Sequence, residues 1–341
     1  MIYRSKAPLR IGLAGGGTDV SPYSDLYGGA ILNMTISLSA YANIEPSRNG
    51  LITLQAFDRK EREQHSVSNQ LPINGHLDLL KGVYNRVQKD YPFACEGLQI
   101  STYVDAPAGS GLGTSSTLVV AILGAFVEML KLPLGDYDIA QYAYDIERVD
   151  LQLAGGKQDQ YAATFGGVNF MEFLSDDNVI VNPLRIRNEY LQELENNLVL
   201  FYTDTSRESA HIIEAQQQNV KDKNEKSIEA MHRLKEQAYQ MKEALLKGKL
   251  NTIGEILDFG FRQKKQMADK ISNPYLDSIY ERAMQAGAAG GKISGAGGGG
   301  FMIFYCPANT RYQVIESLKE MNGTVMPYSF THQGLQTWTI L

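Results

Sequence analysis

Three hydroxyls in a row, Thr114, Ser115 and Ser116, follow the alternating glycines Gly109, Gly111 and Gly113 in Pro107-Ala-Gly-Ser-Gly-Leu-Gly-Thr-Ser-Ser-Thr117. Hydroxyls there can cap a helix, or can bind Mg²⁺ and phosphate oxygens. Two further glycine-rich stretches stand beside reactive side chains: Gly15-Gly-Gly-Thr-Asp19 and Lys292-Ile-Ser-Gly-Ala-Gly-Gly-Gly-Gly300. Glycine lets backbone N–H groups approach phosphates, because no Cβ intervenes. Three such loops, spread from one end of the chain to the other, imply backbone converging on a large anionic ligand. The expectation is an ATP-dependent enzyme that phosphorylates a small molecule. The middle loop is not a Walker A loop, since no Gly-Lys-[Ser/Thr] follows its glycines. The spacing of Gly109, Gly111 and Gly113 is also wrong for a dinucleotide fingerprint.

The elements that must position these loops can be read only coarsely. Leu98, Ile100, Thr102 and Val104 alternate as a strand, and the apolar segment Leu118–Leu130 is long enough for a buried helix. Strand, glycine loop, helix is the order that points helix N-terminal N–H groups at a phosphate. Strands are also expected at 30–39, 51–57, 197–202, 301–305 and 337–341. Helices are expected at 77–91, 137–149, 276–286 and 312–321. Met231, Leu234, Ala238, Met241 and Leu245 give an amphipathic helix, with 220–226 as its exposed lead-in. The domain boundary is placed near residue 187, giving units 1–187 and 188–341.

Composition sets outer limits. The 341 residues suffice for two domains, and 43% hydrophobic with 21% charged residues is ordinary for a globular chain. The formal net charge of −6 argues against nucleic acid as a partner. An anionic ligand then needs a local basic or N–H site. Cys95 and Cys306 make no disulfide framework and are read as small core residues, and the five histidines suggest no metal site. Trp338 is read as core or half-buried packing. Arg4, Lys6 and Arg10 break any apolar leader, and the longest apolar stretch, 118–127, is too short to span a bilayer. The expectation is a cytoplasmic enzyme with no membrane partner; the oligomeric state stays open.

Taken together, the motifs resemble those of the GHMP kinases, named for galactokinase, homoserine kinase, mevalonate kinase and phosphomevalonate kinase. Three match in order: Lys6-Ala-Pro-Leu-Arg10 running into Gly15-Gly-Gly-Thr-Asp19, then Pro107-x-x-x-Gly-Leu-Gly-Thr-Ser115, then Lys292-Ile-Ser-Gly-Ala-Gly-Gly-Gly-Gly300. The resemblance implies an α+β chain of two domains. The N-terminal one would be like ribosomal protein S5 domain 2, and the C-terminal one ferredoxin-like. ATP would lie between them, its phosphates on the second motif: Pro107, Gly109, Ser110, Gly111, Leu112, Gly113, Thr114, Ser115 and Ser116. The third motif would face the nucleotide or substrate, with Gly297 as a contact.

The same resemblance assigns roles. Asp159, in Gly156-Lys-Gln-Asp-Gln-Tyr161, matches the aspartate facing the acceptor hydroxyl, which it can orient or deprotonate. Glu147 and Ser115 match the Mg²⁺ ligands. Arg10 matches a cation that would keep Asp159 ionised and offset transition-state charge; Leu9 replaces a frequent glycine beside it. Asp19 matches an aspartate that binds sugar hydroxyls, with Gly17, Thr18 and Gln158 beside it. Galactokinases carry Gly-Glu-His-Thr-Asp where this chain has Gly15-Gly-Gly-Thr-Asp, which leaves more room over a sugar. The nearest branch in these motifs is the D-glycero-D-manno-heptose 7-phosphate kinases, with L-fucose kinase domains related. That branch implies phosphorylation of the anomeric O1. A phosphorylated acceptor needs a second anion site, for which the candidates are Lys6, Lys157 and Arg207. The alternatives are another sugar or alcohol as acceptor, or a silent ATP- and sugar-binding sensor.

Overall fold

The computed structural model describes residues 1–176, 178–205 and 209–341, the side chain of Ser209 excepted. Arg207 lies outside the described residues. The first half of the chain builds one large sheet. Strand β1 (Ile2–Ala14) pairs antiparallel with β2 (Gly29–Pro46), with the short helix α1 (Tyr23–Tyr27) between them. β3 (Leu51–Ala56) and β4 (Glu61–Ser66) form a hairpin, helix α2 (Asp78–Asp90) follows, and β5 (Leu98–Val104) inserts between β2 and β3.

Next comes α3 (Thr114–Leu130), which is apolar on every side and therefore central rather than amphipathic. It packs across β1 and β2. Residues 117–123 and 125–126 of this helix are buried, so the loop before it is anchored to the middle of the core. α4 (Asp136–Asp145) runs into a π-helical turn, Ile146–Asp150, and α5 (Gln158–Phe165) follows. β6 (Val168–Phe173) pairs with β2, and β7 (Val179–Pro183) with β6.

The second half builds a smaller antiparallel sheet. α6 (Asn188–Asn197) leads into β8 (Leu198–Tyr202), and α7 (Ser209–Lys221), α8 (Glu225–Leu246), α9 (Ile253–Lys264) and α10 (Pro274–Gln285) follow. β9 (Gly290–Ile293), β10 (Phe301–Tyr305), α11 (Arg311–Leu318) and β11 (Thr324–Val325) complete it, in the strand order β11-β8-β10-β9. This is the two-domain α+β architecture the motifs implied.

Three details depart from the sequence reading. The last strand, β12 (Gln336–Ile340), pairs with β1 of the large sheet, so a single cut at 187 leaves out a C-terminal return to the first unit. Trp338 on that edge strand is 39% exposed, not packed in a core. In the segment 220–226, which joins α7 to α8, Val220 is buried, whereas 221–226 are exposed as the lead-in reading expected. The amphipathic helix lies where the spacing put it: Met231, Leu234, Ala238, Met241 and Leu245 are all buried along α8. Gln237 on the same face accepts from Gly15 N (3.3 Å), and its amide donates to Ile256 O (2.7 Å). One polar side chain thus ties the first glycine loop to the second half of the chain. Cys306 is in the core, whereas Cys95 is only partly buried. Among the described residues no helix is long and apolar enough to cross a membrane.

Candidate active site

A cleft of about 720 Å³ opens between the two halves. Its walls come from all three glycine motifs, through Gly17, Gly109, Gly111, Gly113, Gly295 and Ala296. The middle loop ends at Gly113, whose φ of +78° belongs to the left-handed region, and α3 starts at the next residue. A Cβ on Gly113 would lie 3.0 Å from the Asp159 carboxyl carbon, so glycine here brings backbone and carboxylate together. Thr114, Ser115 and Ser116 occupy the first turn, and all three line the cleft. The third motif packs directly on the second: Phe301 N donates to Ser110 O (2.8 Å), and Ser294 Oγ donates to Gly111 O (2.9 Å). The Ser110 hydroxyl is buried in this loop without a hydrogen-bond partner among the described residues.

Asp159 sits in the first turn of α5, a helix the sequence reading did not anticipate. Arg10 Nε donates to Asp159 Oδ1 at 2.6 Å, and Arg10 Nη1 donates to Gly111 O at 2.6 Å. The Arg10 side chain is 4% exposed and that of Asp159 21%. A buried guanidinium thus spans the catalytic-type carboxylate and the phosphate-type loop with two directed donors.

Asp19 is buried, and it accepts from Gln158 N (3.1 Å) and, at 3.5 Å, from Gln158 Nε2. Burial pushes its carboxyl above the usual range, the Gln158 N–H opposes this, and nearby Asp159 adds to the rise. Thr18, expected at the substrate, has no exposed surface. Its hydroxyl shares its one proton between Gly15 O (2.8 Å) and Ala30 O (3.0 Å) and accepts from Ala30 N, so it shapes the turn that presents Asp19.

Glu147 lies in the π-helical turn and is 1% exposed. Gln160 Nε2 donates to Glu147 Oε2 (2.5 Å) and to Ser116 Oγ (3.1 Å), which draws the turn toward the start of α3. The Gln160 side-chain oxygen, Oε1, is buried without a partner among the described residues. Glu147 and the exposed Ser115 both line the cleft, and they would hold Mg²⁺ as one carboxylate and one hydroxyl beside phosphate oxygens. Among the described residues no group of three or more His, Cys, Asp or Glu gathers elsewhere as a metal site. A second pocket of about 260 Å³ shares Arg59, Ser115 and Leu153 with the cleft and is walled by Leu77, Leu79, Leu80, Leu118 and Leu151. Its apolar walls suit a flat ring placed next to bound phosphates.

Other expected contacts fall elsewhere. Lys6 lies over the Tyr41 ring (5.7 Å) and Lys157 over the Tyr144 ring (5.3 Å); neither lines the cleft. Gly297 packs against Ile271 rather than at the cleft wall. Side chains absent from the sequence reading do line it: Arg59, Arg148, Gln216 and Lys264. Lys264 sits in the charged run Arg262-Gln-Lys-Lys265, where no spacing singles it out. Burial lowers its ammonium to about 8, with Arg10 adding to the fall and Asp19 opposing it. Lys292, in the third motif, is buried and donates to Gly12 O (2.7 Å), which pins that motif to β1; burial holds its ammonium well below its ordinary value.

The family model for the GHMP kinases N terminal domain matches residues 78–167, and that for the GHMP kinases C terminal matches residues 241–323. The chain is 46% identical, over 99% of both sequences, to a D-glycero-alpha-D-manno-heptose 7-phosphate kinase of Campylobacter jejuni. It superimposes with a TM-score of 0.85 on the crystal structure of a D-glycero-D-manno-heptose 1-phosphate kinase from Bacteroides thetaiotaomicron, at 47% identity and 99% coverage of each chain. A bifunctional fucokinase/GDP-fucose pyrophosphorylase of Arabidopsis thaliana is 28% identical over 98% of this chain, which spans 32% of that protein.

Proposed function

This chain belongs to the GHMP kinase family, and from that premise we propose that it transfers the γ-phosphate of ATP to the anomeric hydroxyl of D-glycero-D-manno-heptose 7-phosphate. That it is an ATP-dependent phosphotransferase acting on an alcohol group follows from the family and its sugar-kinase relatives. The acceptor is the proposed part. One relative is named for a heptose 7-phosphate and another for a heptose 1-phosphate. Transfer to O1 of the 7-phosphate reconciles the two names, because the product carries both phosphates. Such a product suits entry into nucleotide-activated heptose synthesis for surface glycans.

The observation that carries the reading is the Arg10–Asp159 pair at the mouth of the middle glycine loop. Phosphates cradled by the N-terminal turn of α3 would present the γ-phosphoryl group toward Asp159. Asp159 then orients the acceptor hydroxyl and takes its proton as the O–P bond forms. Arg10 holds that carboxylate in place and offsets charge accumulating near Gly111. Asp19 and Gln158 hold the sugar hydroxyls. Mg²⁺, when bound by Ser115 and Glu147, would offset the negative charge of the nucleotide phosphates. No covalent intermediate is needed.

The test is ³¹P NMR of the purified protein with MgATP and a panel of the heptose 7-phosphate, mannose, fucose, galactose and mevalonate. A new anomeric phosphate signal with the heptose alone is the expected result. Turnover confined to another acceptor overturns the heptose assignment and leaves the family chemistry in place.

A further inference from the structure

Four cationic side chains line the cleft among the described residues: Arg10, Arg59, Arg148 and Lys264. Three are committed. Arg10 is held by Asp159 and Gly111 O. Arg59 pairs with Glu61 at 2.8 Å. Arg148 donates to Leu153 O and Gly156 O, both at 3.3 Å, and lies 3.7 Å from Glu147. Lys264 differs. It is 3% exposed, its one hydrogen bond among the described residues is a long one to Gly16 O (3.5 Å), and no carboxylate among the described residues forms an ion pair with it. Asp19, the acid that acts on it, takes its hydrogen bonds from Gln158 instead. A buried ammonium without a counter-ion is costly unless a ligand supplies one.

A second side chain points to the same place. Gln216 on α7 is 1% exposed and lines the cleft, and its Nε2 is buried with no partner among the described residues. Lys264 Nζ lies 3.7 Å from the Cβ position of Gly16, and Gln216 Oε1 lies 3.5 Å from that of Gly17. Both side chains therefore reach one two-residue step of the first glycine loop, beside the Met267 side chain, whose Cε lies 2.6 Å from the Gly17 Cβ position. That step leads to Asp19, so the place adjoins the sugar end of the cleft rather than the nucleotide loop on α3.

We propose that Lys264 and Gln216 receive the phosphate that the acceptor sugar already carries, the ammonium pairing with its charge and the amide donating to one of its oxygens. This rests on the reading of the acceptor as a sugar phosphate. Lys6 and Lys157, the sequence candidates for this role, lie outside the cleft.

Steady-state kinetics with the heptose 7-phosphate and with the same heptose lacking its phosphate tests the assignment. Lys264→Met is expected to raise KM for the phosphorylated sugar about 10- to 100-fold, the value of one charge-assisted hydrogen bond. Its kcat should stay within about threefold, as should KM for ATP, because neither Lys264 nor Gln216 touches the α3 loop. Gln216→Leu should raise the same KM about 3- to 10-fold, and Lys264→Arg should recover most of the loss, since the cation is kept. An unaltered KM in both Lys264→Met and Gln216→Leu, or an equal rise for both sugars, overturns the site. If Lys264→Met does not fold, Gln216→Leu carries the same comparison alone. Wild-type turnover confined to unphosphorylated sugars instead defeats the acceptor reading, and this site with it. Wild-type turnover of the heptose 7-phosphate with no discrimination lost in the variants defeats the site alone.

Discussion

Gly156 and Asp19 occupy adjoining space: a Cβ placed on Gly156 would lie 1.9 Å from Asp19 Oδ2. The Asp19 carboxylate, proposed to face the sugar, therefore packs into a gap that only glycine leaves. Asp19 cannot swing aside freely, because it is buried and held by Gln158 N. Gly156→Ala should push the carboxylate off that N–H and misplace the acceptor. The expected result is a fall in kcat/KM for the sugar of about 100-fold or more, with ATP binding retained. Initial-rate kinetics beside nucleotide-analogue titration checks both halves; a variant that keeps its sugar kcat/KM removes Asp19 from the acceptor site.

Arg10 uses two nitrogens in two directions, Nε toward Asp159 and Nη1 toward Gly111 O. A lysine ammonium is a single point and cannot span both acceptors. Arg10→Lys should thus lower kcat about 10- to 100-fold although the charge is conserved. Asp159→Asn should lower kcat by about 10²- to 10⁴-fold, with ATP still bound. If Asp159→Asn keeps full turnover, the hydroxyl is positioned by another group.

The chemistry-bearing loops were legible because glycine runs beside Arg10, Asp19 and the hydroxyls are rare in ordinary connections. The fold around them was legible where an unbroken apolar run marked a helix, as in α3, or a single period dominated, as in α8. What was missed lacked such a period. α5 is only eight residues and starts inside the Gly156–Tyr161 motif, too short for a period to show. The return of β12 to β1 is a pairing between chain ends, which no local pattern encodes. Lys264 and Gln216 gain their place only from the packing of α9 and α7 against the first glycine loop, so no local pattern marks a lysine in a charged run. Thr18 erred the other way: its hydroxyl beside Asp19 in the motif is spent on backbone.

The alkaline side of the pH profile should report Lys264. The groups acting on it are Asp19, which favours its charge, Arg10, which opposes it, and Lys292, itself buried and coupled to it. Its ammonium titrates near 8, so the cation is present below that pH and is lost as pH rises through it. KM for the heptose 7-phosphate should therefore climb above about pH 8, at a pH where the sugar phosphate itself, with a second pKa near 6, no longer changes charge. The climb should vanish in Lys264→Met, whose KM starts high and stays flat. A wild-type KM that is flat to pH 9.5 contradicts the role.

Stability should move in the opposite sense. Lys264 binds its proton less tightly folded than unfolded, from an ordinary value of 10.5 down to about 8. The unfolded chain thus holds more of this proton between those values, and this group's contribution makes stability rise with pH across that window. At neutral pH the fold carries the burden of a desolvated charge, on the order of 1–3 kcal/mol. Lys264→Met removes it and keeps a flexible side chain of similar length in the packed wall. The variant should melt about 2–4 °C higher than wild type at pH 7, judged from the entropy of unfolding of a chain this long. Adding the heptose 7-phosphate should reverse the order, because ligand stabilisation scales with affinity and the variant has lost the ion pair. Scanning calorimetry with and without the sugar phosphate reads both effects. A crossing of the two melting temperatures is the signature of a charge kept for binding at the expense of the fold, whereas a variant that melts lower in both conditions assigns Lys264 to structure.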